Sequence, residues 1–155
     1  SALAGYVVAI STLAQLLTSL LVPSIAARCR DQRALAVGLA ALGFAALMGL
    51  ILAPLTTVWL WAVLLGCAQG GLFALALSLI AMRSGNAQIT AQLSAMAQGW
   101  GYILAAGGPL LTGLLHQWTG SFASSLWLML LLSAALAWSG WGAGRNRLVR
   151  PAIRA

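Results

Sequence analysis

Charged residues are scarce in this chain, and their positions constrain its fold more than any other feature. The 155 residues contain 8 basic side chains, all arginine, and a single acidic one, Asp31. The arginines fall in three groups: near residues 28–33, at Arg83, and in the tail from Arg145. Long apolar stretches lie between the groups, and every second gap between stretches carries no charge. This alternation is typical of a membrane protein with several transmembrane helices, whose cytoplasmic loops carry an excess of basic residues.

Composition excludes a water-soluble domain. Hydrophobic residues make up 62% of the chain, charged residues 6%, and the mean hydropathy is +0.98, whereas soluble domains have about 25% charged residues. The arginines are spread over loop ends and form no basic groove, so we expect no nucleic-acid partner. Cys29 and Cys67 are isolated and lack the spacing of a metal or disulfide site. We therefore expect the lipid bilayer as the solvent, with no metal and no cofactor.

The apolar stretches have the length of membrane-spanning helices, which need about 20 mostly apolar residues. The sequence predicts an all-α, polytopic bundle of five transmembrane helices within residues 1–144, followed by a basic cytoplasmic tail at 145–155. The predicted spans are 2–26, 34–53, 58–82, 91–115 and 123–143.

The charge pattern also predicts the topology. The first and third loops and the tail carry the arginines, so we expect them in the cytoplasm and Ser1 outside, in a bacterial inner membrane. Transporter halves commonly have six helices. Five spans with an external start, and no initiator Met, lead us to expect an excerpt of a longer protein that lacks the first helix of such a half.

Polar side chains are unevenly distributed among the predicted spans. The first, third and fourth carry Gln15, Gln69, Gln98 and Tyr102, whereas the second and fifth contain nothing more polar than serine. Adding one helix before Ser1 gives two three-helix units. Each unit ends in a helix with no side chain more polar than serine, which we call a plain helix. Inverted three-helix repeats of this kind build many transporters, and we expect the plain helices to be peripheral.

A buried side-chain amide without a partner costs about 2–7 kcal/mol, so the three glutamines must face protein or a wet cavity. They are either interhelical hydrogen-bonding groups or the lining of a solute cavity. Their concentration on three helices favours the cavity. Gln98 and Tyr102 are four residues apart and share a helix face.

Small residues predict where helices approach closely. They recur every four positions in two stripes, Gly66, Gly70 and Ala74 on the third span and Ala97, Gly101 and Ala105 on the fourth. In the fourth span, Gly108 and Pro109 weaken the helix, because proline removes one backbone hydrogen bond. Two interpretations remain open here: a kink that serves conformational change, and simple curvature.

The run from Leu93 to Tyr102, LSAMAQGWGY, followed by AAGGP at 105–109, resembles the eleventh helix of the cyanate permease and nitroimidazole transporter branch of the major facilitator superfamily. TLAQ at 12–15 with LLVP at 20–23, GGLF at 70–73 and GAGR at 142–145 resemble its eighth helix, its tenth helix and the start of its tail. The resemblance implies helices eight to twelve of a twelve-helix alternating-access transporter. Helices one to seven, the N-terminal part of the same protein, are then the expected partner.

The first loop resembles a degraded form of the superfamily's cytoplasmic loop motif at Arg30, Asp31 and Arg33. The usual glycine before the aspartate is missing, since residues 23–27 contain none. The loop charges either form a gating ion pair or set the topology, and the missing glycine favours topology.

The predicted function is therefore transport of a small polar or anionic solute. No carboxylate lies within a span, so a proton relay built from Asp or Glu cannot sit in this part. His116, at the outer end of the fourth span, is either a proton sensor or a polar cap. No catalytic set of side chains converges, so we expect no enzyme. The alternative is a stand-alone five-helix scaffold or transporter subunit without its own substrate site.

Overall fold

The computed structural model describes residues 2–29 and 31–144, excluding the side chain of Ala2. The described residues confirm the all-α prediction. They form five helices, which are α1 (Ala2–Arg28), α2 (Arg33–Leu52), α3 (Val58–Arg83), α4 (Ala87–Thr119) and α5 (Ala123–Ala143), with a 3-10 turn at Leu55–Thr57. Within this part of the chain, four helices are long and apolar enough to cross a membrane, and the one that falls short is α4.

The helix α4 is longer than its predicted span because both of its ends are capped. Asn86 precedes it, and its side-chain oxygen accepts a hydrogen bond from the backbone N–H of Ile89 at 2.9 Å. This is the arrangement that starts a helix. Gly120 ends α4 with φ of 67°, a conformation that glycine adopts without steric cost. The helix therefore extends beyond both ends of the predicted span.

Alternate helices run in the same direction. Gly66 and Gly70 of α3 lie against Ser11 and Gln15 of α1 in the same order, so α1 and α3 are parallel. Residues that come later in α2 contact residues that come earlier in α3 and in α5, so α2 is antiparallel to both helices. As a result, Arg28, Arg33 and Arg83 lie at one end of the bundle, which we call the arginine end. The opposite end is the uncharged end.

The contact between α1 and α3 depends on glycines, whose lack of a Cβ atom lets the two backbones approach closely. A Cβ atom at Gly66 would overlap the carbonyl group of Ser11, and one at Gly70 would overlap that of Gln15. Close backbone approach at small residues is how helices associate in lipid, where apolar surface alone provides little driving force. The predicted packing role of the α3 stripe is confirmed.

The plain helix α2 is central in the described residues, contrary to the expectation that it is peripheral. It packs between α3 and α5. Leu39 fits against Gly71, and Trp61 covers Gly49. An apolar helix suits a protein interior as well as lipid, which is why composition alone did not place it. The main buried cluster consists of Val22, Ala26, Ala36, Leu39, Ala74 and Leu75.

The helix α4 stands apart from the other helices. None of its residues is buried, and it has few contacts with α3 and α5. A Cβ atom at Gly101 would meet nothing within 4 Å. The predicted packing stripe on α4 therefore has no partner among the described residues.

We predict that Gly70→Ala destabilises the protein by about 1–3 kcal/mol, the usual cost of overpacking a tight contact. Gly38→Ala is the matched control, because a Cβ atom at Gly38 meets nothing within 4 Å. Denaturant unfolding of the two purified full-length variants measures the difference. Equal stabilities would contradict the described α1–α3 contact.

Candidate functional site

Most hydroxyl groups of α1 are already satisfied by their own helix. Ser11 and Thr12 donate to the carbonyl of Val8, Thr18 donates to Ala14 and Ser19 to Leu16, all at 2.8–2.9 Å. Such back-bonding leaves little hydrogen-bonding capacity for a solute. The long amide side chains remain the main polar groups of the central region.

Gln15 and Gln69 lie at the same depth in the bundle. The backbone of Gln15 packs on Gly70, the residue next to Gln69. Gln15 is half-buried and Gln69 is exposed. Gln69 also lies at the edge of a cavity of about 230 Å³ between α2, α3 and α5, which Ser133 shares. Two of the four predicted site residues are therefore brought to one level by the α1–α3 contact.

Gln98 and Tyr102 lie on α4, and both are exposed, Tyr102 to 69%. No other described helix covers this face, so the described residues do not bring these two side chains to Gln15 and Gln69. The helix continues without interruption through Gly108 and Pro109. Whether it bends there during function stays a prediction.

The arginine end contains a buried cluster that the sequence did not predict. Arg83 is only 7% exposed. Its Nη2 donates to the side-chain oxygen of Gln32 at 2.7 Å and to the carbonyl of Gly144 at 3.1 Å. Its Nη1 is buried and has no partner among the described residues. Both acceptors are neutral, so among the described residues the guanidinium charge is stabilised by dipoles.

Gln32 connects three segments of the chain. Its amide nitrogen donates to the carbonyls of Cys29 at 2.8 Å and Ala26 at 3.2 Å, while its oxygen accepts from Arg83. The end of α1, the end of α3 and the end of α5 are thus held together by two side chains. Hydrogen bonds to a charged group are worth about 1.5–3 kcal/mol. We call Gln32, Arg83 and Gly144 the arginine clasp.

The predicted loop motif has a local role in the structure. The backbone N–H of Arg33 donates to Asp31 Oδ1 at 3.1 Å, and Arg33 Nε lies 3.8 Å from Asp31 Oδ2. The guanidinium of Arg33 also lies 5.3 Å from the ring centre of Trp141. Asp31 is exposed, so this ion pair contributes little to stability. Arg30 and the tail 145–155 lie outside the described residues.

At the uncharged end, His116 stacks on Phe122 with ring centroids 4.0 Å apart and an angle of 14° between the rings. Its Nδ1 is buried and unpartnered within the described chain. The stack links the end of α4 to the start of α5. This geometry tests neither the sensor nor the cap interpretation.

The clasp is not predictable from the sequence, for an identifiable reason. The charge pattern predicts that Arg83 is one of several topology-setting arginines, and such a pattern gives the sign of a loop's charge but not the depth of a side chain. Gln32 lies in the predicted first loop, and no neighbouring residue in the sequence indicates that it is buried. The one available signal was the isolation of Arg83, which lies more than 40 positions from any other charged residue in the sequence.

Comparison with known proteins gives consistent matches to bacterial transporters. The chain is 37% identical over 150 residues to the uncharacterized transporter YycB of Bacillus subtilis, covering 96% of this chain. It is 34% identical over 147 residues to the 2-nitroimidazole transporter of Escherichia coli, covering 95%. The cyanate transport protein CynX of Escherichia coli is 34% identical over 118 residues, or 76% of this chain.

The chain spans a minor part of these relatives. The matched region is 37% of the length of YycB, 37% of the 2-nitroimidazole transporter and 30% of CynX. No protein-family profile and no solved structure matches the chain.

We predict that Gln32→Leu destabilises the protein by roughly 2–3 kcal/mol, because it removes the strongest acceptor of a buried guanidinium. Gln88→Leu, an exposed glutamine, should change stability by less than about 0.5 kcal/mol. Denaturant unfolding of both full-length variants in detergent micelles measures the free energy of unfolding of each. If Gln32→Leu behaved like the control, the clasp would be absent from the folded protein.

Proposed function

This chain belongs to the cyanate permease and nitroimidazole transporter branch of the major facilitator superfamily, and we propose that it forms part of a secondary transporter for a small polar or anionic solute. Alternating access moves the solute. The observation that carries the proposal is similarity to named transporters over 96% of the chain, joined to amide side chains in the central region of helices that suit a membrane. The named solutes of two relatives, 2-nitroimidazole and cyanate, are both small.

The proposed pathway is lined by Gln15, Gln69, Gln98 and Tyr102. The amides of the three glutamines make no side-chain hydrogen bond within the described residues, unlike the hydroxyls of α1. In a membrane an unsatisfied amide is costly, so each needs a solute, water or another helix. The common depth of Gln15 and Gln69 supports one site near mid-membrane, where solute sites of such transporters lie.

No other described helix covers the face of α4 that carries Gln98 and Tyr102. Its exposed large side chains include Met96, Trp100, Ile103 and Leu104 next to the two pathway candidates. We propose that the N-terminal part of the same transporter, helices one to seven, supplies this partner and encloses Gln98 and Tyr102. That part then also supplies any carboxylate used for coupling, because the described spans contain none.

The Gly108–Pro109 segment is the proposed point of bending in α4. Proline leaves one carbonyl of the preceding turn without its helical partner, and such loosened backbone is tolerated where it lines a cavity. A Cβ atom at Gly107 or Gly108 would meet nothing within 4 Å among the described residues.

We predict that Gln98→Ala in the full-length protein lowers solute uptake about tenfold, equivalent to loss of a hydrogen bond worth about 1.4 kcal/mol. Its abundance in the membrane should not change, because Gln98 takes part in no buried contact among the described helices. Gln117→Ala, on the same helix at the uncharged end, is the control and should transport normally. Initial uptake rates of 2-nitroimidazole and cyanate, normalised to protein amount, provide the measurement. Wild-type uptake by Gln98→Ala would remove it from the pathway.

The proposed orientation places the arginine end in the cytoplasm. In a full-length protein whose cysteines are replaced, Ser121→Cys should react with a membrane-impermeant maleimide in intact cells. Gly85→Cys, in the loop at the arginine end, should react after the membrane is permeabilised and not before. The reverse pattern would show that the orientation is wrong.

A further inference from the structure

The face of α4 that carries Gln98 continues to His116. These two residues are 18 positions apart in α4, which is five whole turns at 3.6 residues per turn. They therefore lie on one line along the helix, about 27 Å apart at the rise of an α-helix. Tyr102 lies beside the same line, one turn from Gln98. The line thus leads from the two pathway candidates of α4 to the uncharged end.

Between Tyr102 and His116 this line carries no large apolar side chain. The residues within about 60° of it, at 3.6 residues per turn, are Ala105, Pro109, Thr112 and Gly113. The exposed large side chains of the same part of α4 that lie about 120° or more away include Leu111, Leu114 and Trp118. Polar groups of membrane helices face protein or a water-filled cavity. The face with Gln98, Tyr102 and His116 is therefore the one suited to a solute.

The imidazole ring of His116 has a fixed orientation. It stacks on Phe122, with 4.0 Å between the ring centroids and 14° between the ring planes. The backbone beneath it is fixed as well, because the N–H of Gly120, the residue that ends α4, donates to the carbonyl of His116 at 2.8 Å. A side chain that is already ordered loses little conformational entropy when it binds a ligand. The stack therefore preorganises the ring for binding.

One ring nitrogen of His116 is available to a ligand. Nδ1 is buried and has no partner among the described residues, whereas the residue as a whole is partly exposed. The open edge of the ring therefore carries Nε2. A neutral imidazole has one N–H and one bare nitrogen, and a buried N–H without an acceptor is costly. The proton accordingly belongs on Nε2, which makes the open edge a hydrogen-bond donor.

The neighbouring polar groups leave this donor free within the described part of the chain. The hydroxyls of Thr119 and Ser124 bond to each other and to backbone carbonyls. Residues 117–130 contain no charged side chain, and Asp31, the single acid of the 155 residues, lies at the arginine end. A ligand with an acceptor atom would therefore meet no competing acid at His116.

We propose that His116 is a solute-binding residue at the outer mouth of the pathway, where its Nε2–H donates a hydrogen bond to the entering solute. This rests on the proposed function and orientation, which place the uncharged end outside. The ligands that fit are small molecules with an exposed acceptor, such as a nitro or carboxylate oxygen or a terminal atom of cyanate. The solute then moves along the line to Tyr102 and Gln98. His116 thereby favours acceptor-bearing solutes before translocation begins.

Two amide substitutions in the full-length protein test the donor. The side-chain nitrogen of glutamine reaches close to the position of Nε2, whereas that of asparagine reaches only that of Nδ1. His116→Asn should raise the KM for uptake of 2-nitroimidazole and cyanate about five- to tenfold, the effect of one lost hydrogen bond. The maximal rate should not change, because the contact is made at entry and contributes to binding alone. His116→Gln should keep the KM within about twofold of wild type.

Gln117→Ala is the matched control, because Gln117 is the next residue and lies about 100° around the helix from the line. It should have the wild-type KM. Equal KM values for His116→Asn and His116→Gln would overturn the proposal. Values equal to that of wild type would show that the solute does not contact His116, and equally raised values would show that the ring acts only through its stack on Phe122.

Equilibrium binding of 2-nitroimidazole and cyanate to the purified full-length variants provides a readout that does not require transport. Weaker binding by His116→Asn than by His116→Gln, in a protein that moves no solute, would refute the proposed function alone. Normal uptake with equal binding by the two variants would refute this assignment alone. Absence of binding by the wild-type protein would refute both.

Discussion

The close approach of α3 to its neighbours determines the rest of the described structure. Between helices in lipid, apolar surface offers little net attraction, and stability comes from backbone proximity and packing. Gly66 and Gly70 permit that proximity to α1, and Gly71 permits the insertion of Leu39 from α2. This contact sets the depth of Gln15 relative to Gln69.

The arginines have two physical roles although the sequence presents them alike. Arg28 is exposed at the surface of the arginine end, and Arg33 is partly exposed beside Asp31 and Trp141. Arg83 is withdrawn from that surface and hydrogen-bonded to Gln32 and Gly144. Arg83 holds the ends of α1, α3 and α5 together through Gln32 and Gly144, whereas the orientation signal of Arg28 and Arg33 stays a prediction. The same residue type thus lies at two depths at the arginine end.

The sequence was sufficient for the helices and their alternating directions, because apolar length and arginine spacing are local properties. The close packing of the α3 stripe was also predictable from its spacing. Three features were not. The central place of α2 was missed because an apolar helix is equally suited to lipid and to a protein interior. The burial of Arg83 and the partners of α4 depend on contacts between distant segments, which composition does not specify. The proposed pathway through Gln98 and Tyr102 stays a prediction for the same reason, since the described helices leave both uncovered.

Cysteine cross-linking between α1 and α3 tests the central contact most directly. In a full-length protein without other cysteines, Ser19→Cys would be combined with Ala74→Cys, which continues the register of the Ser11–Gly66 and Gln15–Gly70 contacts. The close approach of the two helices predicts that this pair forms a disulfide, whereas Ser19→Cys with Ala76→Cys, on the face of α3 that lines a cavity of about 500 Å³, does not. Equal cross-linking of the two pairs, or none with Ala74→Cys, would contradict the contact.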